Sequence, residues 1–130
     1  MGQQQLLIIV LGVLIVGMAI YGAFNMMDGY TQSHQRDLII QRMNLLVGEA
    51  KKYATKTASL GGGDGSFQGF VPPAKLLTTS EMKIYSTAGD TWVLFQGFGT
   101  SNGEDGKSPV QVVGQYDKTT DHWTTLATVN

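Results

Sequence analysis

A continuous apolar run from Leu6 to Phe24 is the feature that most restricts how this chain can fold. The run contains no charged residue and no proline. At about 1.5 Å of rise per residue, a helix of this length spans the hydrocarbon core of a bilayer, about 30 Å thick. Every face of that helix is apolar, so it is not a surface helix of an ordinary soluble domain. We therefore expect it to lie in lipid or inside a shell of other protein chains.

The remainder of the chain is long enough for one further domain. The sequence has 130 residues, a net charge of −1 and no cysteine. The small net charge gives no field that would attract nucleic acid, and the absence of cysteine excludes disulfides and catalytic thiolates. We expect residues 1–27 to form a protruding apolar helix, as a membrane anchor or filament core, and residues 28–130 to form a globular head.

A removable secretory signal is the alternative to a retained helix for the apolar run. Such a signal has a basic N-terminal region, a shorter apolar stretch and a small-residue cleavage site. Here Met1–Gln5 is uncharged, and Ala19 to Ala23 offers only a weak cleavage pattern. These features favour a helix that is retained.

A second apolar pattern follows the first, and it has one-sided helical spacing. Apolar residues recur from Ile39 to Tyr53 in steps of four, three, four and three positions. This spacing places them on one face of a helix. No proline interrupts the chain from Met1 to Val71. The pattern predicts a single helix of about fifty residues, from near Gln3 to near Thr57. Its second half, residues 28–58, should pack on the rest of the head through Ile39, Met43, Leu46, Ala50 and Tyr53.

The C-terminal half of the chain has β character. The glycine-rich stretch Gly61–Ser66 should end the helix, and Pro72-Pro73 should open a short turn or helix over residues 74–77. A segment rich in glycine and polar residues, Gly99–Ser108, is expected to be a loop. Four strands are predicted, at residues 83–86, 91–97, 110–116 and 123–129. The expected fold class is α+β, with one long helix packed against an antiparallel sheet of about four strands within residues 83–130.

This architecture resembles that of the type IV pilin family. The residues that carry the resemblance are Gly2, the three glutamines that follow it, and the apolar run, together with the amphipathic continuation, the glycine-rich loop and the small sheet. The resemblance implies that a prepilin peptidase cleaves after a glycine. It also implies that the helices then bundle in the core of an extracellular filament, with the heads outside. Gly2 is then the processing residue, and the mature chain begins at Met1 or at Gln3.

The sequence departs from the family pattern at three points. Pilins commonly carry glutamate at the fifth mature position, where this chain has Gln5. They often have proline near position 22, where this chain has Gly22. The cysteines that close a C-terminal loop in many pilins are missing.

The expected assembly core combines aliphatic side chains with three other kinds of residue: glutamines, glycines and aromatic residues. Amides in a non-aqueous core need hydrogen-bond partners, because an unpaired amide there costs about 1–3 kcal/mol. Before assembly the glutamines would instead be solvated in the headgroup layer. Glycines allow helices to approach closely, although glycine is also simply common in membrane helices. Aromatic residues near the end of the run suit an interfacial belt or ordinary packing. The predicted core residues are Gln3, Gln4, Gln5, Leu6, Leu7, Ile8, Ile9, Val10, Gly12, Val13, Ile15, Gly17, Ile20, Tyr21 and Phe24.

No motif in the sequence predicts catalysis, a metal site or a cofactor. His34 and His122 are far apart and have no clustered ligands. Asp64 and Glu104-Asp105 lie in glycine-rich loops but lack the spacing of a calcium-binding loop. Three serines lack the context of a hydrolase nucleophile, namely Ser66, Ser80 and Ser86.

Two functions remain open at this point. The first is a structural subunit that polymerises through its N-terminal helix into a pilus-like filament, inserted in the inner membrane before assembly and at the cell surface afterwards. Its partners would be copies of itself and, by the resemblance, the prepilin peptidase and the pilus assembly machinery. The second is a single-span membrane-anchored sensor or binding module that does not polymerise.

Overall fold

The computed structural model describes residues 2–103 and 105–128 and has the predicted α+β architecture. A four-stranded antiparallel meander, with strand order β1-β2-β3-β4, follows one long helix. The chain divides into two compact units between Thr31 and Gln32, so the unit that corresponds to the head begins at Gln32. The elements are α1 (Gly2–Thr55), a 3₁₀ turn (Ala58–Leu60), α2 (Ala74–Leu77), β1 (Met82–Ala88), β2 (Trp92–Asn102), β3 (Pro109–Asp117) and β4 (His122–Thr128).

Several element boundaries differ from those predicted. Helix α1 ends at Thr55, and Gly61 instead closes the 3₁₀ turn with a left-handed φ of 77°. The prediction of a loop over Gly99–Ser108 is wrong in its first part, because β2 continues to Asn102. The other strands are each longer or shifted by one or two residues. Val129, the end of the fourth predicted strand, lies outside the described residues.

The core of the head lies between the second half of α1 and one face of the sheet. The side chains of Ile39, Met43, Leu46 and Ala50 are completely buried. Helical spacing brings them to one face, where they join a single cluster with alternate residues of three strands. The strand residues of that cluster are Met82, Ile84, Val93, Phe95, Val110, Val112 and Tyr116.

Tyr53 lies at the margin of this core. Its side chain is half-buried, and its ring is 5.6 Å from that of Phe70. The Tyr53 hydroxyl donates a hydrogen bond to the carbonyl oxygen of Gln68 at 3.0 Å. Tyr53 therefore holds the segment between the helix and the sheet, and does not extend the buried stripe.

Glycines in β2 allow the helix to approach the sheet closely. Gly97 is an inward-facing position, and a Cβ atom there would lie 2.4 Å from Cγ2 of Ile39 and 3.0 Å from Cε of Met43. Any side chain would have to displace the helix or its buried residues. The glycine-rich end of β2 is thus part of the packing between helix and sheet.

A β-bulge in β2 is bound by a glutamine of α1. The register of β2 on β3 shifts between Phe98 and Asn102, and a bulge of this kind leaves backbone groups without ladder partners. The N–H of Ser101 donates to Oε1 of Gln35 at 3.0 Å. Nε2 of Gln35 donates to Oγ1 of Thr100 at 2.9 Å. The Gln35 side chain is buried, at 8 % exposed, and its amide takes the place of the interrupted ladder bonds.

Replacing Gln35 by leucine is expected to destabilise the head by about 1–3 kcal/mol, because the Ser101 N–H loses its partner in a partly buried site. Gln41→Leu, an exposed glutamine on the same helix, is the matched control and should change stability by less than about 0.5 kcal/mol. Denaturant unfolding of a chain of residues 28–130 measures both. Equal stability of the two variants would contradict a role for Gln35 at the bulge.

The turn between β3 and β4 is fixed by Tyr116. The Tyr116 hydroxyl donates to Oδ1 of Asp121 at 2.6 Å. Nζ of Lys51 lies 4.5 Å from the centroid of the Tyr116 ring, in cation–π geometry. The ring also meets that of Phe67 edge-on, at 5.8 Å between centroids. The hydrogen bond to Asp121, with a further contribution from burial, raises the pKa of Tyr116 to about 12.

A raised pKa in the folded state makes the stability of the head depend on alkaline pH. The contribution of neutral Tyr116 is complete below pH 10.0, the ordinary pKa of tyrosine, and is lost as the pH rises to about 12. We expect the wild-type head to lose stability across this range, and Tyr116→Phe to remove that part of the loss. The difference between the ultraviolet titration curves of wild type and Tyr116→Phe should have its midpoint near pH 12. A midpoint near pH 10.0 would contradict the hydrogen bond.

Candidate functional site

The candidate site is the apolar segment Leu6–Phe24 of α1. It is helical throughout, and its large apolar side chains are between 50 and 74 % exposed. Within the described chain, α1 is the one helix that is long and apolar enough to cross a membrane. Fully burying one such side chain is worth about 1.5–3 kcal/mol. This segment therefore carries a large amount of apolar surface that its own chain leaves uncovered.

Small residues are distributed around the whole circumference of the segment. At about 100° per residue, Gly12, Ala19 and Ala23 lie within about 20° of one line along the helix. Gly17 and Gly22 lie about 140° and 280° from that line. A Cβ atom added at Gly12, Gly17 or Gly22 would meet no atom within 4 Å. These glycines thus serve no packing purpose within the described chain.

The predicted polar and aromatic members of the assembly core lie on the same exposed surface. The amides of Gln3, Gln4 and Gln5 are exposed in the first turns of α1, as is Gly2. The rings of Tyr21 and Phe24 are also largely exposed, at the other end of the apolar segment. All the predicted core residues are therefore accessible to a lipid or to other chains.

The residues examined as metal ligands do not come together. No group of three His, Asp or Glu side chains suited to a metal ion occurs within residues 2–103 and 105–128. His34 is exposed on α1 and His122 at the start of β4. Asp64 is exposed in a left-handed turn, with a φ of 48°, and Glu104 lies outside the described residues. The Asp105 carboxylate caps its own loop, and backbone N–H donors of Lys107 and then Ser108 lower its pKa.

The hydroxyls of Ser66, Ser80 and Ser86 have different surroundings in the structure. The Ser66 hydroxyl donates to Oδ1 of Asp90 at 2.6 Å, which ties the glycine-rich segment to the β1–β2 turn. Ser80 is exposed before β1. The Ser86 hydroxyl is buried and has no hydrogen-bond partner among the described residues. The Ser66 hydroxyl donates to a carboxylate and the Ser86 hydroxyl has no partner among the described residues, so neither is paired with a histidine base.

An open cleft of about 330 Å³ lies where the end of α1 meets the segment that follows it. Tyr53, Phe70 and Pro73 form its apolar side. Its charged side includes Lys52 and Glu49, which form an ion pair with 2.9 Å between Nζ and Oε1. This cleft cannot be predicted from sequence patterns, because its walls depend on how the glycine-rich segment folds back on the helix.

Comparisons with models of protein families, with curated proteins and with solved structures found no match. The features of the chain that bear on function are therefore the apolar segment and its continuation, within α1, into the core of the head.

Proposed function

We propose that this protein is a non-catalytic structural subunit that polymerises through its N-terminal helix into an extracellular pilus-like filament. The observation that carries the proposal is the continuity of α1. One helix exposes apolar side chains on all sides between Leu6 and Phe24, and then buries a single face, from Ile39 to Ala54, in the core of the head. Apolar surface of this extent has to be covered by lipid or by other chains.

The continuity of α1 supports a bundle of copies over a simple anchor. A domain that is only tethered to a membrane needs no helical connection to its anchor, and a flexible linker would serve it equally well. Here the helix passes from the apolar segment into the head without a proline or a break. The same helix therefore supplies both the apolar segment and part of the core of the head.

Inside such a bundle the assembly has to be stabilised by close packing and by hydrogen bonds, because no water is displaced from between helices that were already in lipid. The glycines of the apolar segment offer sites of close approach. The amides of Gln3, Gln4 and Gln5 would pair between copies once they leave the headgroup layer. Gln5 would then contribute a neutral hydrogen bond at the position where pilins commonly carry glutamate.

The resemblance to type IV pilins extends the proposal to how the chain would be processed and reach the filament. Gly2 would be recognised by a prepilin peptidase, and the chain would reside in the inner membrane before the assembly machinery adds it to a filament at the cell surface. The proposed partners are copies of this chain, the peptidase and that machinery.

A single-span membrane-anchored sensor or binding module is the second candidate. The exposed apolar segment, long enough to cross a bilayer, favours it as much as it favours a filament. Electron microscopy of material sheared from cells that produce the protein separates the two candidates. Regular fibres that contain this chain are expected. Fibre-free sheared material, with all of the protein left in the membrane fraction, would overturn the filament proposal in favour of the anchored module.

A further inference from the structure

The two edge strands of the sheet, β1 and β4, differ in how far their outer edges are covered. The edge of β1 is partly covered, because Thr78 bridges to Lys83 and the N–H of Thr79 donates to the carbonyl oxygen of Met82 at 2.9 Å. The other edge is formed by β4. Among the described residues, the ladder bonds of β4 are made to β3 alone. The outward backbone groups of β4 therefore present an open row of donors and acceptors.

The sequence of β4 has none of the features that usually protect such an edge. Native edges are commonly protected by lysine, by proline or by a bulge. Strand β4 reads His-Trp-Thr-Thr-Leu-Ala-Thr, which contains no lysine, no proline and no glycine. Its register on β3 is regular throughout, and the bulge of this sheet lies between β2 and β3. Leu126 is 66 % exposed on the outer face. A short, uncharged segment rich in β-formers is the kind that pairs with another strand.

We propose that the edge of β4 pairs, in antiparallel orientation, with the edge of β4 of a second copy, so that two heads share one eight-stranded sheet. A second copy is the partner that the charges favour, since an edge without lysine, arginine or carboxylates does not repel its own image. Pairing of β4 with β1 of another copy is disfavoured, because the start of β1 is already covered by Thr78 and Thr79.

The symmetry of this contact determines where it acts. A contact of one edge with the same edge is isologous and has a two-fold axis. The subunits of a polar filament are related by a screw and all point the same way, so the two copies belong to different filaments. This step rests on the proposed filament function. The β4 edge is therefore a surface for lateral association of filaments.

The two-fold symmetry requires that one residue of β4 lies opposite the same residue of the second copy. Side chains alternate between the faces of a strand, and a two-fold axis perpendicular to the sheet leaves each face unchanged. Only registers in which one residue lies opposite its own copy satisfy both conditions. The two Cα atoms of that residue are then about 4.5–5.5 Å apart, which is within the range of a disulfide.

Because the chain has no cysteine, single cysteines test the contact directly in full-length filaments. We expect one of Thr124→Cys, Thr125→Cys and Leu126→Cys to give a disulfide-linked dimer on mild oxidation, and the neighbouring positions to give much less. Lys83→Cys, an exposed position on the partly covered edge, is the control and should stay monomeric. Equal linkage at all four positions, no linkage at any, or linkage to a different protein would overturn the proposal.

A second variant tests the consequence for filaments. Thr124→Lys combined with Leu126→Lys places charges on the exposed face of β4 in both copies. We expect the loss of lateral bundles in electron micrographs, while single filaments persist. Thr87→Lys, exposed on β1, should leave the bundles unchanged, and bundles that survive the double change would contradict the β4 contact. If the wild-type chain forms no filament but the cysteine dimer still forms in detergent, the filament function fails and the edge contact stands.

Discussion

Leu46→Asp is expected to abolish the folded state of the head. Leu46 is completely buried between α1 and the sheet. Removing a buried leucine side chain costs about 2–5 kcal/mol, and a carboxylate without a partner in the same place adds a further penalty. The total stability of a domain is typically about 5–15 kcal/mol. A chain of residues 28–130 with this change should show no cooperative thermal transition by circular dichroism.

The neighbouring residue supplies a matched control for this result. Leu45 is 58 % exposed on the same helix, so Leu45→Asp has the same effect on helix propensity without a change in the core. We expect it to cost about 1 kcal/mol or less. If both variants unfolded alike, helix propensity would explain the loss. If neither did, the buried face of α1 would differ from the one described.

The buried face of α1 could be predicted because its spacing is a local property of the chain. Steps of three and four residues place Ile39, Met43, Leu46 and Ala50 on one line whatever they pack against. The strands were predictable for the same reason, since alternation is visible in the sequence. The apolar segment was predictable from composition alone.

Gln35 and Phe67 could not be predicted, because their roles depend on residues far away in the sequence. Gln35 continues the apolar stripe of α1 by position, but its amide is polar, and its partner is a bulge 66 residues away at Ser101. Phe67 lies in a glycine-rich segment and yet is 1 % exposed. Its ring joins the core cluster, and its N–H donates to the carbonyl oxygen of Asp90, which lies in the turn before β2.

The length of β2 shows how tertiary packing can override local composition. Its second half contains Gly97 and Gly99, and glycine lowers strand propensity. The same glycines are required where the helix approaches, because a Cβ atom at Gly99 would lie 2.4 Å from Oε1 of Gln35. Residues typical of a loop are thus used to bring the helix and the sheet together.

The sequence pattern does not indicate which face of the apolar segment would contact other copies in the proposed filament. A helix that is apolar on every side has no direction in its pattern. The glycines are the positions at which the segment differs from its larger apolar neighbours. Substituting them therefore tests whether those positions contact other chains.

Gly17→Leu is expected to prevent filament formation without affecting the amount of protein in the membrane. In the proposed filament, a leucine at this position would separate helices that approach closely, and overpacking of this kind costs about 1–3 kcal/mol per site. A polymer repeats this cost at every subunit. Insertion should be unimpaired, because leucine is among the residues that enter a bilayer most favourably. The measurement is filament yield by electron microscopy against membrane-fraction protein by immunoblot.

Within the described residues, the structure gives no cause for such a loss inside a single chain. A Cβ atom at Gly17 would meet no neighbouring atom within 4 Å. Leucine also favours a helix over glycine by about 1 kcal/mol, so α1 should be more stable in the variant. A missing filament would therefore report contacts of the apolar segment with other chains.

Val16→Leu completes the test of this last prediction. Val16 is 57 % exposed beside Gly17, and the change adds one methylene group where a side chain already stands. Filaments should form from Val16→Leu at near wild-type yield. If Gly17→Leu also formed normal filaments, close approach at Gly17 would be wrong. If both variants failed, the apolar segment would be tightly packed around its circumference, and the glycine would have no special role.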